Sequence, residues 1–145
     1  MNVSVAPAVL VVRRTIPASA EELFDAWLDP LALATWMRPG STHRTTATVD
    51  ARVGGRYSIV MEADGKTIPH TGEYRLIDRP RRLSFTWHSP HTDGRDTLVT
   101  VEFLPSSRHT EVVITHEWLP DAKYEAHCGG WTSALEKLQA FRGQA

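Results

Sequence analysis

Gly129-Gly130-Trp131-Thr132-Ser133-Ala134-Leu135-Glu136-Lys137-Leu138-Gln139-Ala140-Phe141 is the stretch that decides the fold. Trp131, Leu135, Leu138 and Phe141 recur at helical spacing, and the stretch follows a long run of strand-like segments. It reads as the second half of the only long helix. One helix is about 10 Å across, whereas six or seven strands about 4.8 Å apart make a far wider layer. A flat sheet of that width cannot be covered by one helix. The sheet is therefore expected to curl around it, and a curled sheet gripping a single helix leaves room for an internal cavity. The two glycines each cost about 1 kcal/mol relative to alanine inside a helix. Their presence predicts a close approach of the helix to the sheet or to a ligand.

Upstream, the strand signals are regular. Val9 to Ile16 is β-branched and reads as the first strand. Ser19 with Glu22 three residues on has capping-box spacing, and Ala20, Leu23, Phe24 and Trp27 give that helix an apolar face. Asp29-Pro30 starts a second short helix, because proline suits the first helical position; Leu33, Trp36 and Met37 line it and Pro39-Gly40 ends it. Further strands are expected at 43–50, 55–62, 66–77, 81–88, 96–104 and 109–118, separated by Gly54-Gly55, Asp64-Gly65, Arg79-Pro80, Asp93-Gly94 and Pro105-Ser106-Ser107. Connections this short favour antiparallel neighbours. Pro69 marks an edge or a bulge.

Strand alternation then proposes an interior. Leu83, Phe85 and Trp87 share one face, as do Val99, Val101 and Phe103, and as do Val112, Ile114, His116 and Trp118. Tyr57, Ile59 and Met61 form a fourth row, and Tyr74 with Leu76 a fifth. Glu62, Glu73, Glu102, Glu111 and Glu117 fall on the opposite face. The expected cavity is apolar and aromatic, as suits a hydrophobic small molecule. It lacks the inward pair of acids that glycoside hydrolysis needs. His116 reads either as a pocket hydrogen-bonder or general acid/base, or as a core histidine satisfied by a backbone carbonyl or water. His127, one turn before Trp131, reads either as a pocket residue or as a surface histidine. The five tryptophans are core residues first, with two or three expected to touch the cavity. The expected ligand-binding set is Trp36, Tyr57, Met61, Tyr74, Phe85, Trp87, His116, Trp118, His127 and Trp131, with no residue assigned to catalysis. Adjacent His127 and Cys128 point apart on a helix, and the seven histidines show no familiar ligand spacing, so neither a metal nor a cofactor is expected.

Composition narrows the classes. The 145 residues suit one domain, 1–145, with its core at about 9–142. Hydrophobic residues make up 41% and charged residues 23%, and the net charge is −1. No basic stripe suggests nucleic acid or an anionic membrane surface. Arg79, Arg81 and Arg82 flank a turn and read as solvated. Cys128 is the single cysteine, so no intrachain disulfide forms. No apolar run approaches the roughly 20 residues of a spanning helix, and Met1–Ala8 lacks the features of a signal peptide. The expected location is the cytoplasm.

A set of short motifs resembles a known family. It comprises Arg14-Thr15-Ile16-Pro17-Ala18, Ala26-Trp27-Leu28-Asp29-Pro30, Trp36, Pro39, Gly54-Gly55-Arg56-Tyr57, Asp64-Gly65 and Gly72-Glu73-Tyr74. It continues with Pro80, Leu83, Phe85-Thr86-Trp87, Val99-Thr100-Val101, Thr110, His116 and Gly130-Trp131 with Leu135 and Leu138. Together, over about residues 9–142, they resemble homologues of the heat-shock protein 90 ATPase activator, within the START-like or SRPBCC superfamily. The resemblance implies an α+β helix-grip fold: a curved antiparallel sheet around a long C-terminal helix, with two short helices after the first strand. A second tryptophan often follows the first in that family, where this chain has Met37. The expected function is non-catalytic binding of a lipid-like or aromatic molecule. A chaperone-associated ATPase activator, connected to stress response, and a cyclase- or hydrolase-type enzyme using His116, Tyr57 or Tyr74 are the alternatives. Exposed edge strands leave a homodimer open.

Overall fold

The computed structural model describes residues 9–143. Strand β1 (Leu10–Ile16) leads into helices α1 (Ala20–Ala26) and α2 (Pro30–Trp36). Strands β2 (Arg44–Val49), β3 (Arg56–Ala63), β4 (Lys66–Asp78), β5 (Arg82–Trp87), β6 (Thr97–Ser106) and β7 (His109–Glu117) follow. The last helix, α3, runs from Tyr124 to Arg142. The seven strands form one antiparallel sheet in the order β1-β7-β6-β5-β4-β3-β2. This is the helix-grip architecture that the sequence resemblance implies.

Local chemistry accounts for the boundaries. Ser19 accepts from the Glu22 amide at 3.1 Å and starts α1. Asp29 accepts from the Leu31 amide at 2.9 Å, and Pro30 opens α2. Asp64 and Gly65 both take positive φ, 53° and 74°, which makes the tight β3–β4 turn. Gly72 lies across from Tyr57 in the β3–β4 pairing. A Cβ at Gly72 would sit 2.6 Å from the Tyr57 ring and collide with the Thr86 carbonyl, so only glycine fits beneath that ring. Pro69 pairs with Val60 but lies where β4 has run past the end of β5. Its missing N–H costs no ladder bond there, consistent with the edge position expected of it.

The acids lie on the convex face as expected. Glu62, Glu73, Glu102 and Glu111 each face an arginine, respectively Arg44, Arg75, Arg82 and Arg13. The concave face carries Leu83, Phe85 and Trp87, with Val99, Val101, Phe103, Val112 and Ile114, all buried. Two expected inward residues are not there. β7 ends at Glu117, and Trp118 takes φ 67° as the chain leaves the sheet, which turns its side chain out to 54% exposure. A register shift between Tyr74 and Leu76 breaks the alternation in β4 and leaves Leu76 38% exposed.

Helix α3 crosses the concave face, and its second half packs against β1. Trp131, Ala134, Leu135 and Leu138 are buried. Arg14 Nε donates to Gln139 Oε1 at 2.6 Å, fixing that end to the sheet. Burying one leucine contributes about 1.5–3 kcal/mol, so these side chains hold the helix in place. No described helix is long and apolar enough to cross a membrane.

Candidate functional site

The first half of α3 buries none of its residues. Between it, the β3–β4 hairpin, the end of β5 and the loop after α2 lies a cavity of about 460 Å³, within the range that takes a drug-sized molecule. Ala126, Gly129, Gly130 and Ala134 form its helical side. A Cβ built on either glycine meets nothing within 4 Å. The glycines therefore do not serve close packing of helix on sheet; they border empty space. The loop side is held by Ser133 Oγ, which accepts from the Gly40 amide at 2.9 Å, and by Lys137 Nζ, which donates to the Arg38 carbonyl at 2.8 Å.

Met37, Met61, Ile68, Trp87 and Trp131 supply apolar walls. Of the lining residues only Asp64 carries a carboxylate, and it is exposed at the rim, accepting from Ser41 Oγ at 2.7 Å. Lys66 and His91 share the rim. Among the described residues no cluster of histidine, cysteine or acid has metal-binding geometry.

Five rings follow one another, four of them lining the cavity and His116 behind it. His70 lies 4.7 Å from Trp87, Trp87 lies 5.1 Å from Trp131, Trp131 lies 6.0 Å from His116, and His116 lies 5.2 Å from His127, centroid to centroid. Trp131 is fixed in this row by hydrogen bonds. Its Nε1–H donates to His116 Nδ1 at 3.0 Å. An imidazole that accepts at Nδ1 carries its proton on Nε2, which then donates to Thr97 Oγ1 at 2.7 Å. Thr97 in turn donates to the Trp87 carbonyl at 2.6 Å. Every polar atom in this relay has a partner. His116 is fully buried, and burial together with nearby His127 lowers its pKa to about 3. It is a neutral ring with both nitrogens engaged, so it positions Trp131.

The other two histidines differ. His70 Nδ1 lies 3.2 Å from the Ile59 carbonyl, and His127 Nδ1 lies 2.8 Å from the Lys123 carbonyl. A carbonyl can only accept, so Nδ1 of His127 carries the proton and its Nε2 is left as an acceptor, whereas the His70 ring is engaged by two backbone carbonyls, those of Ile59 and Ile68. Burial lowers the His70 pKa to about 4 and lowers that of His127 as well.

The expected site residues separate into four groups. Met61, Trp87, His127 and Trp131 line the cavity. Tyr57, Tyr74 and Phe85 line a void of about 10 Å³ next to it, together with Trp27, Met37, Ile59 and Trp87. Burial raises the pKa of both tyrosines, and the Tyr57 hydroxyl is spent on the Thr86 carbonyl. Trp36 and His116 lie behind the wall. Trp36 packs edge-on against Trp27 at 4.8 Å and donates to the Ala26 carbonyl at 2.8 Å, so it belongs to the core. Trp118 is on the surface. Sequence reasoning missed Ile68, Ala126, Ala134 and the fixed role of His70. The stripe of small residues Ala126-Gly130-Ala134, four apart on one helical face, was the available signal for the hole.

The profile of the family described as Activator of Hsp90 ATPase homolog 1-like protein matches residues 17–142. No curated protein matches the chain. Solved structures do. A Chromobacterium violaceum protein is 29% identical, with a TM-score of 0.82 over 96% of this chain and 100% of its own. An AHSA1-like protein from Aeromonas hydrophila is 26% identical, with a TM-score of 0.80 over 92% and 91%. A Rhodobacter sphaeroides protein is 27% identical, with a TM-score of 0.78 over 91% and 90%.

Proposed function

We propose that this chain, which belongs to the Activator of Hsp90 ATPase homolog 1-like family, binds a hydrophobic small molecule between its sheet and its C-terminal helix, without a chemical step. The observation that carries the reading is the unfilled half of the grip. Helix α3 presents Ala126, Gly129 and Gly130 where leucines would close the space, and the facing wall is tryptophan and methionine. Two further features support binding over catalysis. The one carboxylate of the cavity is at the rim, and His116 has no free nitrogen with which to move a proton. Melting the purified chain against a panel of apolar and aromatic compounds tests this. A ligand that binds only the folded state must raise the melting point with concentration, by RT ln(1 + [L]/Kd) in free energy. A panel without a single dose-dependent shift, and native mass spectra without a bound small molecule, would remove the reading.

The family description favours a second reading, in which the chain acts on a chaperone ATPase. It is tested by adding the chain to the chaperone and measuring ATP turnover. An unchanged rate removes it.

A further inference from the structure

We infer that the cavity takes a fused aromatic compound bearing a hydroxyl group, its rings against Trp87 and Trp131 and its hydroxyl donating to Nε2 of His127. This rests on the pocket reading above and adds the chemistry of the occupant. Trp87 and Trp131, 5.1 Å apart, have one histidine beyond each end of the pair: His70 on Trp87, and His127 beyond Trp131 by way of His116. Flat indole faces favour a flat partner.

The histidines then set the polarity. The Nδ1 proton of His127 is committed to the Lys123 carbonyl, and His70 is engaged by the Ile59 and Ile68 carbonyls. Both rings line the cavity, and His127 has a lone pair left at Nε2. An acceptor selects a donor. A carboxylate would set its own lone pairs against it. An ammonium group would be a donor, but it would enter a space whose only acid is Asp64 out at the rim, beside Lys66. A hydroxyl donates without carrying charge into an apolar space. Burial, which disfavours the charged form of His127, keeps this lone pair available.

Calorimetric titration of the full chain with naphthol, methoxynaphthalene, naphthalene and naphthoate separates the possibilities. Naphthol should bind about tenfold or more tightly than the ether or the hydrocarbon, because only it satisfies an acceptor that both others leave buried and unpaired. His127→Phe, which keeps a ring on a half-buried helical position, should erase most of that margin and leave naphthalene unchanged. Equal affinity for naphthol and naphthalene overturns the inference while the pocket reading stands. So does naphthoate as the tightest binder, which would move recognition to Lys66. No binding by any of the four overturns both. The comparison among the four compounds is made on the unaltered chain and does not depend on the variant folding.

Discussion

Helix α3 is one continuous helix with two unlike halves. From Trp131 onward it presents Trp131, Ala134, Leu135 and Leu138 to the core and is fixed by Gln139 to Arg14 of β1. From Tyr124 to Gly130 none of its residues is buried, its N-terminus has no side-chain cap, and its cavity face is Ala126, His127, Gly129 and Gly130. The same curved sheet faces both. The cavity is therefore not a packing failure spread through the core; it opens along one half of one helix, where alanine and glycine face it beside His127. Stability resides in the second half and room in the first. Trp131 sits at the junction, fixed to His116.

The largest effect should come from emptying the filled half. Leu138→Ala removes a side chain with no exposed surface from the contact of α3 with the core. Such truncations cost about 2–5 kcal/mol, with the spread set by how far the surroundings relax. Chemical denaturation of the variant measures it. A cost below about 1 kcal/mol would mean that the second half is not what holds the helix, and the contrast between the halves would fail.

Acid should act on the other side of the contrast, since the buried histidines lie along the open half and its junction. His116 and His70 have folded pKa values of about 3 and about 4 against an ordinary 6.5. Below 6.5 the unfolded chain takes up protons that the folded chain refuses. Stability must therefore rise with pH across this window, and it is lost as pH falls from about 6.5 toward the folded values. Each such proton contributes a slope of about 1.4 kcal/mol per pH unit. Melting points should fall steadily through the mildly acidic range, and His70→Phe should make the fall shallower by about one proton. A melting point flat down to about pH 5 would show that these rings are charged, or open to water, in the folded chain.

Most of the fold was legible in the sequence because its signals are local and repeated. Alternation of Leu83, Phe85 and Trp87, or of Val99, Val101 and Phe103, survives in the sheet because both neighbouring strands are antiparallel and in register. Asp29-Pro30 and Asp64-Gly65 specify a helix start and a tight turn by themselves. Legibility ended where geometry depended on something distant. Leu76 left its row because of a bulge that no residue in β4 announces. Trp118 continued the alternation on paper, but the ladder stops at Glu117 so that the chain can reach α3. Trp36, a core residue first in the sequence reading and also in the expected ligand set, packs in the core, because its partner Trp27 comes from the preceding helix rather than from the sheet. The expected ligand set therefore resolves into wall, void lining, support and surface, a division that depends on which side of each ring is empty.

The smallest effect is also the one that tests the two halves against each other, because its two consequences carry opposite signs. Gly130 lies within α3 and faces the cavity, and a Cβ there meets nothing within 4 Å. Alanine at that position gains helix propensity of about 1 kcal/mol without collision. Gly130→Ala should therefore raise the denaturation free energy by about that amount while weakening the binding of an aromatic ligand, since the new methyl group enters the space the ligand needs. Denaturation and titration of the same variant measure both. A stabilised variant that binds as before would place the ligand elsewhere. A destabilised one would mean that the first half of α3 packs more closely on the sheet than its glycines imply. Only the opposed pair of results fits a helix in which one half is filled for stability and the other is left open for a guest.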